Sequence, residues 1–341
     1  METETVNGGL SENQSAETKG AIETAKKIRE ALSSVIRGRT DTIDLVLTAL
    51  FADGHVLLED YPGSGKTLLT KTLGRLIKDE QDTTLAEQEI IPFRRIQFTP
   101  DMLPGDILGV NVFDAKSGTF RFVRGPVFAH IVLADELNRT GPKVQAAFLE
   151  CMAEKQVTID NVTYPLDDFF FVIGTQNPLD LAGTYPLPLV QLDRFLLRIP
   201  MSYVDAETEV EILEEHGSIM KNAESLDPVA TRSEILGAQL ATKDVMISEH
   251  LRSAIVSIVQ ATRDSSLFQF GVSTRAALML QQALRSWAIV QGRTYADEDD
   301  LKFLAPHVLL HRMRFQGGIR DQRSSFDEFM APFLEELIQK R

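Results

Sequence analysis

The sequence is short of several things, and each shortage excludes something. Cys151 is the one cysteine in 341 residues. No intramolecular disulfide framework can form, and a reducing cytoplasm is the expected setting. No apolar run approaches the length needed to cross a bilayer, so membrane insertion is not expected. The N-terminal stretch METETVNGGLSENQSAETKG has no hydrophobic centre and does not read as a signal peptide. Basic residues are outnumbered, 35 Lys and Arg against 49 Asp and Glu, for a formal net charge of −14. That balance opposes general nucleic-acid binding, which needs a basic footprint. The rest of the composition is that of a soluble protein large enough for a sizeable core and two domains.

The chain is organised around HVLLEDYPGSGKT, residues 55–67. Val56, Leu57 and Leu58 form an apolar run the size of a buried parallel strand. Pro62, Gly63 and Gly65 force a tight loop. LLTKTLGRLI then follows with helical spacing of Leu68, Leu69, Leu73 and Leu76. Strand, glycine-rich loop and helix in that order let backbone N–H groups converge on a phosphate at a helix N-terminus, where the dipole also favours negative charge. Lys66 would reach the β- and γ-phosphates, and the Thr67 hydroxyl would hold Mg2+. Asp60 occupies the first Gly position of the full pattern. Alone, the motif also fits a turn followed by a helix with an exposed lysine.

A second anchor is HIVLADE, residues 130–136. A buried strand ending in Asp135 and Glu136 places both carboxylates where open α/β sheets bind ligands. Asp135 suits the Mg2+ that bridges phosphates, and Glu136 the orientation of an attacking water. An acidic start to the next helix is the plainer alternative. FFFVIGT (169–175) is a further apolar strand ending in Gln176–Asn177–Pro178. Asn177 is either a turn residue or a hydrogen-bonding partner of a γ-phosphate or water. LDRFLLRI (192–199) supplies a last strand and an exposed-looking Arg194.

The rest of the chain frames these anchors. Residues 1–15 lack periodicity and are expected to be a mobile tail. A helix follows, with Ile22, Ala25, Ile28, Leu32 and Val35 on one face, until Arg37–Gly38–Arg39 breaks it. Thr40 or Asp41 is the expected N-cap of a second helix. Residues 79–90 read as a surface loop and FRRIQF (93–98) as a strand. TPDMLPGDILG carries too many Pro and Gly for regular structure. A hairpin is predicted around Lys116–Ser117–Gly118, with Phe113, Phe120 and Phe122 either core or an exposed ridge. Pro142 opens a helix at its favoured first position, and Cys151 packs on that helix. QVTIDNVTYPL is a second hairpin turning at Asp160–Asn161.

After Pro200, helical patterns dominate at 205–220, 232–240, 248–263, 274–290, 297–312 and 326–340, with a linker expected at 221–231. Arg275 falls in the first turn of a helix, a poor place for a cation on dipole grounds. Its partner is either a phosphate or a surface carboxylate. His307 and His311 have the i,i+4 spacing of zinc ligands, but no Glu follows His307 and no third ligand is evident. Arg312, Arg314, Arg320 and Arg323 are expected on a solvated face, with a subunit or phosphate contact as the alternative.

Taken together, the anchors fall in one order on successive strands and are followed by a helical lid. This resembles the AAA+ ATPases and, within them, the MoxR family, over about residues 20–320. The stretches that carry the likeness include RIQFTPDMLPGDILG, FRFVRGPVFAHIVLADELNRT, FVIGTQNP, GTYPLPLVQLDRFLLRI and GVSTRAA. The resemblance implies a three-layer αβα nucleotide-binding domain (16–200) with a parallel sheet and two β-hairpin inserts. An insert or linker (201–231) and a small all-α lid (232–341) would follow. It implies a Walker A loop at Pro62, Gly63, Ser64, Gly65, Lys66, Thr67 and Leu68, and Walker B at Asp135 and Glu136. Asn177 would be sensor 1 and Arg275 sensor 2. Arg194 would be the arginine finger offered to a neighbouring subunit, and Gly38 would lie beside the adenine pocket. ATP and Mg2+ are the implied cofactors. A homo-oligomeric ring, by resemblance a hexamer, would act as a chaperone on partners with von Willebrand A domains. A chelatase-like or nucleic-acid-associated motor is the alternative. Leu189 departs from the family, which usually has Glu after Tyr-Pro-Leu-Pro.

Overall fold

The computed structural model describes residues 12–59, 63–80, 90–177, 183–318 and 321–339. Expectations for the first eleven residues, Asp60, Pro62, Pro178, Arg320 and most of the 79–90 loop lie outside the described residues. α1 (Glu12–Ser33) and α2 (Thr40–Phe51) open the chain. β1 (Val56–Glu59) leads to α3 (Lys66–Leu76) and the two-residue β2 (Ile77–Lys78). β3 (Ile91–Gln97), α4 (Pro104–Leu108) and a hairpin of β4 (Gly109–Asp114) and β5 (Thr119–Arg124) precede β6 (Ala129–Asp135). Then come α5 (Pro142–Glu154) and a second hairpin, β7 (Gln156–Ile159) and β8 (Val162–Pro165). β9 (Phe171–Gln176), the one-turn α6 (Leu189–Leu192) and β10 (Leu197–Pro200) complete the strand-rich part. The remainder is largely helical: α7 (Ala206–Ser225), β11 (Ala230–Thr231), α8 (Arg232–Ala241), α9 (Glu249–Asp264) and β12 (Phe268–Phe270) come first. α10 (Thr274–Val290), α11 (Glu298–Leu309), β13 (Arg314–Phe315) and α12 (Gln322–Gln339) end it.

The central sheet has five parallel strands in the order β10-β1-β9-β6-β3. β1, β6 and β9 read as near-continuous apolar runs because both faces are covered there. Side chains alternate between those faces. Val56 and Leu58 join a core shared with α1, α2 and the C-terminal helices, while Leu57 joins a second core with Phe148 and Phe195. The register then sets the site. Glu59 pairs with Gln176 and Gln97 with Asp135, so the carboxyl ends of four strands share one edge.

Several details differ from the sequence-based expectations. α1 begins within the expected tail, at Glu12. α2 is capped by Arg39, with no side-chain hydrogen bond, instead of by Thr40 or Asp41. Pro104, at a helix start where its missing N–H costs nothing, opens the short α4 inside a stretch read as irregular. Only the last three residues of the LDRFLLRI run are strand, within β10. α7 continues to Ser225, and Ala230–Thr231 then pairs with Ile77–Lys78 beside α3. Phe113 and Phe120 are exposed at the first hairpin and pack edge to face, whereas Phe122 stacks on Tyr164 of the second. Asp160 and Asn161 both take left-handed backbone, at φ 48 and 66, as a two-residue hairpin turn demands. Cys151 is buried, and burial pushes its thiol pKa up.

The opposite edge of the sheet is fastened by an ionic cluster. His130, buried at the start of β6, contacts Asp79 at 3.1 Å and Asp167 at 3.6 Å. Asp167 also accepts from Arg232 Nε of α8 at 2.8 Å. Burial opposes the charged ring, yet hydrogen bonds to Asp167 and Asp79 raise the His130 pKa above its ordinary 6.5. A raised folded-state pKa gives stability that is full below 6.5 and lost as pH rises through the folded value. His130→Leu is therefore expected to lower Tm more at pH 6 than at pH 8.5. Equal losses at both pH values, by scanning calorimetry, would remove the ionic account.

Candidate nucleotide-binding site

At the carboxyl edge, Gly63 and Gly65 adopt left-handed backbone, at φ 90 and 89, and Gly65 caps α3. Among the described residues nothing lies within 4 Å of where a Cβ would sit at either position. Backbone conformation, not crowding, selects glycine here. The loop ends on a helix of 11 residues, whose first N–H groups have no intrahelical partner. Ser64 Oγ is buried in the loop without a hydrogen-bond partner among the described residues.

Lys66 Nζ lies 3.2 Å from Asp135 Oδ1. Asp135 is buried, accepts from Arg95 Nη2 at 2.5 Å and from Thr175 Oγ1 at 2.8 Å. Burial alone would raise its pKa, but the bonds from Arg95 and Thr175 and the Lys66 charge hold it below the usual carboxylate value. Glu136 is not part of the strand. It turns into the left-handed region at φ 58, where a non-glycine residue costs about 1–3 kcal/mol. Its N–H donates to Thr175 Oγ1 at 2.8 Å. Its carboxylate accepts from Gln97 Nε2 at 2.6 Å and pairs with Arg139 Nε at 3.2 Å. The two acids are thus separated: one is buried among cations, the other turned outward and held by its neighbours. Asn177 follows β9 at the same edge.

Beside this loop lies a cleft of about 490 Å³, a size suited to a small ligand. One wall is Gly63, Ser64, Gly65 and Leu68, and the facing wall is Ile212, Leu213 and Met220 of α7. Val35 and Ile36 close its end. Gly38 sits just behind, at φ 64, where a Cβ would meet Thr208 Cγ2 at 2.7 Å. Glycine there lets α7 approach. Arg37 pins α7 in place through Glu211 at 3.3 Å and Glu215 at 2.9 Å.

The donors fit Mg2+, which takes one or two protein oxygens and completes its shell with phosphate and water. Asp135 and Thr67 are hard oxygen donors on adjoining elements, and the Asp135 carboxylate already gathers cations.

Arg194 and Arg275 both meet the Asp193 segment, one within it and one through its carboxylate. Arg194 is half-buried and not the exposed side chain expected, because Nη1 donates to Leu149 O at 2.8 Å. Arg275, 60% exposed, lies 4.0 Å from Asp193 Oδ2. Among the described residues neither pairs with Lys66, Asp135 or Glu136. His307 Nδ1 lies 3.1 Å from Arg198 O, and His311 Nε2 lies 3.0 Å from Phe195 O, so the pair fastens α11 to the β10 region. Arg312 corrects the expectation of a solvated face: it is buried. Arg314 and Arg323 are exposed. Sequence reasoning missed Arg95, Gln97, Thr175 and the α7 wall. The strand register is the signal that could have found Gln97 and Arg95, since Gln97 stands opposite Asp135 and Arg95, two residues earlier, lies on the same face.

Comparison with known proteins agrees with this geometry. Residues 55–197 match the family model described as ATPase family associated with various cellular activities (AAA), and 260–331 match the AAA lid domain. Over 301 residues the chain is 35% identical to Chaperone MoxR1 of Mycobacterium tuberculosis, covering 86% of this chain and 76% of that protein. This chain belongs to the MoxR family of AAA+ ATPases. It is also 42% identical over 290 residues to Uncharacterized protein YeaC of Bacillus subtilis, covering 84% of this chain and 86% of that one. A crystal structure of a candidate ATPase from Cytophaga hutchinsonii superposes with a TM-score of 0.79 at 35% identity, over 97% of this chain and 98% of that one. The MoxR-family chain is thus an α/β AAA+ domain with a helical lid. No helix among its described residues is long and apolar enough to cross a membrane.

Proposed function

We propose that this MoxR-family protein hydrolyses ATP with Mg2+, in a ring of identical subunits in the cytoplasm, and uses the cycle to remodel partner proteins that carry von Willebrand A domains. The Lys66–Asp135 pair carries the reading: a cation on the first turn of a helix and a buried strand-end carboxylate, 3.2 Å apart beside a glycine loop. The ring order proposed is a hexamer. Residues 16–200 form the nucleotide-binding part and 232–341 the lid, with α7 between them as one wall of the base cleft.

In this reading the loop N–H groups and Lys66 hold the β- and γ-phosphates. Thr67 and Asp135 hold Mg2+, which supplies charge neutralisation between the phosphates when bound. Glu136 accepts the hydrogen bond of the attacking water, and Asn177 fixes the water or the γ-phosphate. Ile212, Leu213 and Met220 cover the base. Among the described residues Arg194 and Arg275 pair with neither Asp135 nor Glu136, and in this reading both serve a neighbour's nucleotide. The chaperone role draws on the relative named Chaperone MoxR1.

Lys66→Ala is expected to weaken ATP binding at least about tenfold, since it removes a charge-assisted contact to phosphate worth roughly 1.5–3 kcal/mol. An unchanged Kd by calorimetry would contradict the loop assignment.

A further inference from the structure

The segment that bears Arg194 is held from behind by a buried cation, with His311 beside it on Phe195 O. Arg312 stands in the 3-10 turn Leu310–Arg312 after α11 and is 7% exposed. Its Nε donates to Asp193 Oδ1 at 2.8 Å. Nη1 donates to Leu196 O at 3.1 Å, and Nη2 to Phe195 O at 2.5 Å and Asp193 O at 3.3 Å. Nη1 also reaches Val308 O, which ties the guanidinium to its own helix. The other oxygen of Asp193 faces Arg275 Nη1 at 4.0 Å. Carbonyls on both sides of Arg194 are therefore fixed to the helical part of the chain, and Arg275 shares the same carboxylate.

The chemistry of this contact is specific to arginine. Asp193–Leu196 lies between a one-turn helix and a strand; its N–H groups bond to Leu189, Gln191, Leu192 and His55 carbonyls, while three of its own carbonyls are taken by Arg312. Those N–H bonds fix the path of the chain, and the carbonyl bonds add the tie to the helical part. Only a planar fork with five donors reaches one carboxylate oxygen and three main-chain carbonyls at once. Burial of a cation is costly, and an apolar side chain could fill the same space. Burial pushes the Arg312 pKa down to about 10, so the group stays charged at neutral pH.

We propose that Arg312 is the positioning residue for Arg194: it fixes the Asp193–Leu196 segment and, through the Asp193 carboxylate, Arg275, as one unit joined to the lid helices. The proposal rests on Arg194 being the cation supplied to a neighbouring subunit. It follows that loss of Arg312 is felt in the neighbour's site, not in the site of the chain that carries the change.

Arg312→Met is expected to lower kcat about 100-fold, the loss that a misplacement of about 1 Å produces. The Kd for ATP should change less than about threefold, since no ground-state contact is removed. Mixed with Lys66→Ala protein, which carries an intact Arg194 segment, the Arg312→Met protein regains turnover. A defect of folding or of its own nucleotide site would stay with the chain and show no recovery. Arg194→Ala mixed with Lys66→Ala is the reference, with assembly checked by light scattering. If the reference recovers and Arg312→Met does not, the positioning role is overturned and the reading of Arg194 stands. If neither mixture recovers, the reading of Arg194 fails and the proposal falls with it. Asp193→Asn, at a partly exposed side chain, makes the same test should Arg312→Met not fold. It keeps the acceptor shape and removes the charge, with an expected loss of about tenfold and the same recovery. Wild-type turnover in Asp193→Asn overturns the proposal.

Discussion

Replacing Arg194 by alanine is expected to lower ATP turnover about 10³-fold or more while ATP still binds. Phosphoryl transfer spreads negative charge over the γ-phosphoryl oxygens, and catalysis is mostly the placing of positive charge against it. In the proposed reading Lys66 is one such charge, but it would also meet the ground state. A second cation that arrives only with a neighbouring subunit is worth about 10³–10⁵ in rate in enzymes that use one. In its own chain the Arg194 guanidinium rests on Leu149 O at 2.8 Å, a contact to a neutral carbonyl that it can exchange for a phosphate. A chain that must borrow its cation is silent alone, so specific activity should rise with protein concentration as subunits meet. Arg194→Ala and Lys66→Ala proteins, each inactive, should restore part of the activity when mixed. Wild-type turnover in Arg194→Ala, or a loss confined to ATP affinity, would remove Arg194 from the reaction.

How much of this was legible in the sequence depends on which force shaped each part. Strands β1, β6 and β9 are near-continuous apolar runs because both faces of the sheet are buried, and such runs stand out against polar flanks. The glycine loop is legible because left-handed backbone leaves few alternatives to glycine. Pro142 marks a helix start by its missing N–H. What stayed hidden depends on register and tertiary packing. Arg95 and Gln97 look like ordinary polar residues of an edge strand until pairing sets Gln97 against Asp135. Arg312 looks solvated because a cation next to other cations usually is, and only the fold shows four carbonyls and a carboxylate converging on it. α7 has the period of any amphipathic helix, and nothing in that period says its apolar face covers a ligand cleft. Phe113 and Phe120 could not be placed for the same reason: alternation tells which residues share a face of a hairpin, not which face meets water.

Glu136→Gln is expected to bind ATP with near-normal affinity and to turn it over about 10²–10³-fold more slowly, the range that a positioned base contributes. The change is isosteric, so Gln97 can still donate to the remaining side-chain oxygen, and the N–H bond to Thr175 is untouched. The ion pair with Arg139 is lost, but that arginine is 41% exposed and such pairs contribute about 0–1 kcal/mol. Tm should therefore stay close to wild type, which separates a catalytic defect from a folding one. Asp135 keeps its contacts with Lys66, Arg95 and Thr175, so metal and phosphate binding should survive. If the proposed remodelling cycle holds, a chain that keeps ATP without consuming it should dwell in the state that grips a partner. Glu136→Gln protein with ATP should retain a von Willebrand A-domain protein on a pulldown that the nucleotide-free form loses. Near-normal turnover in the variant would transfer the water-orienting role to another group. The turned-out backbone at φ 58, which costs energy and places this carboxylate apart from Asp135, would then be left without a purpose in the reaction.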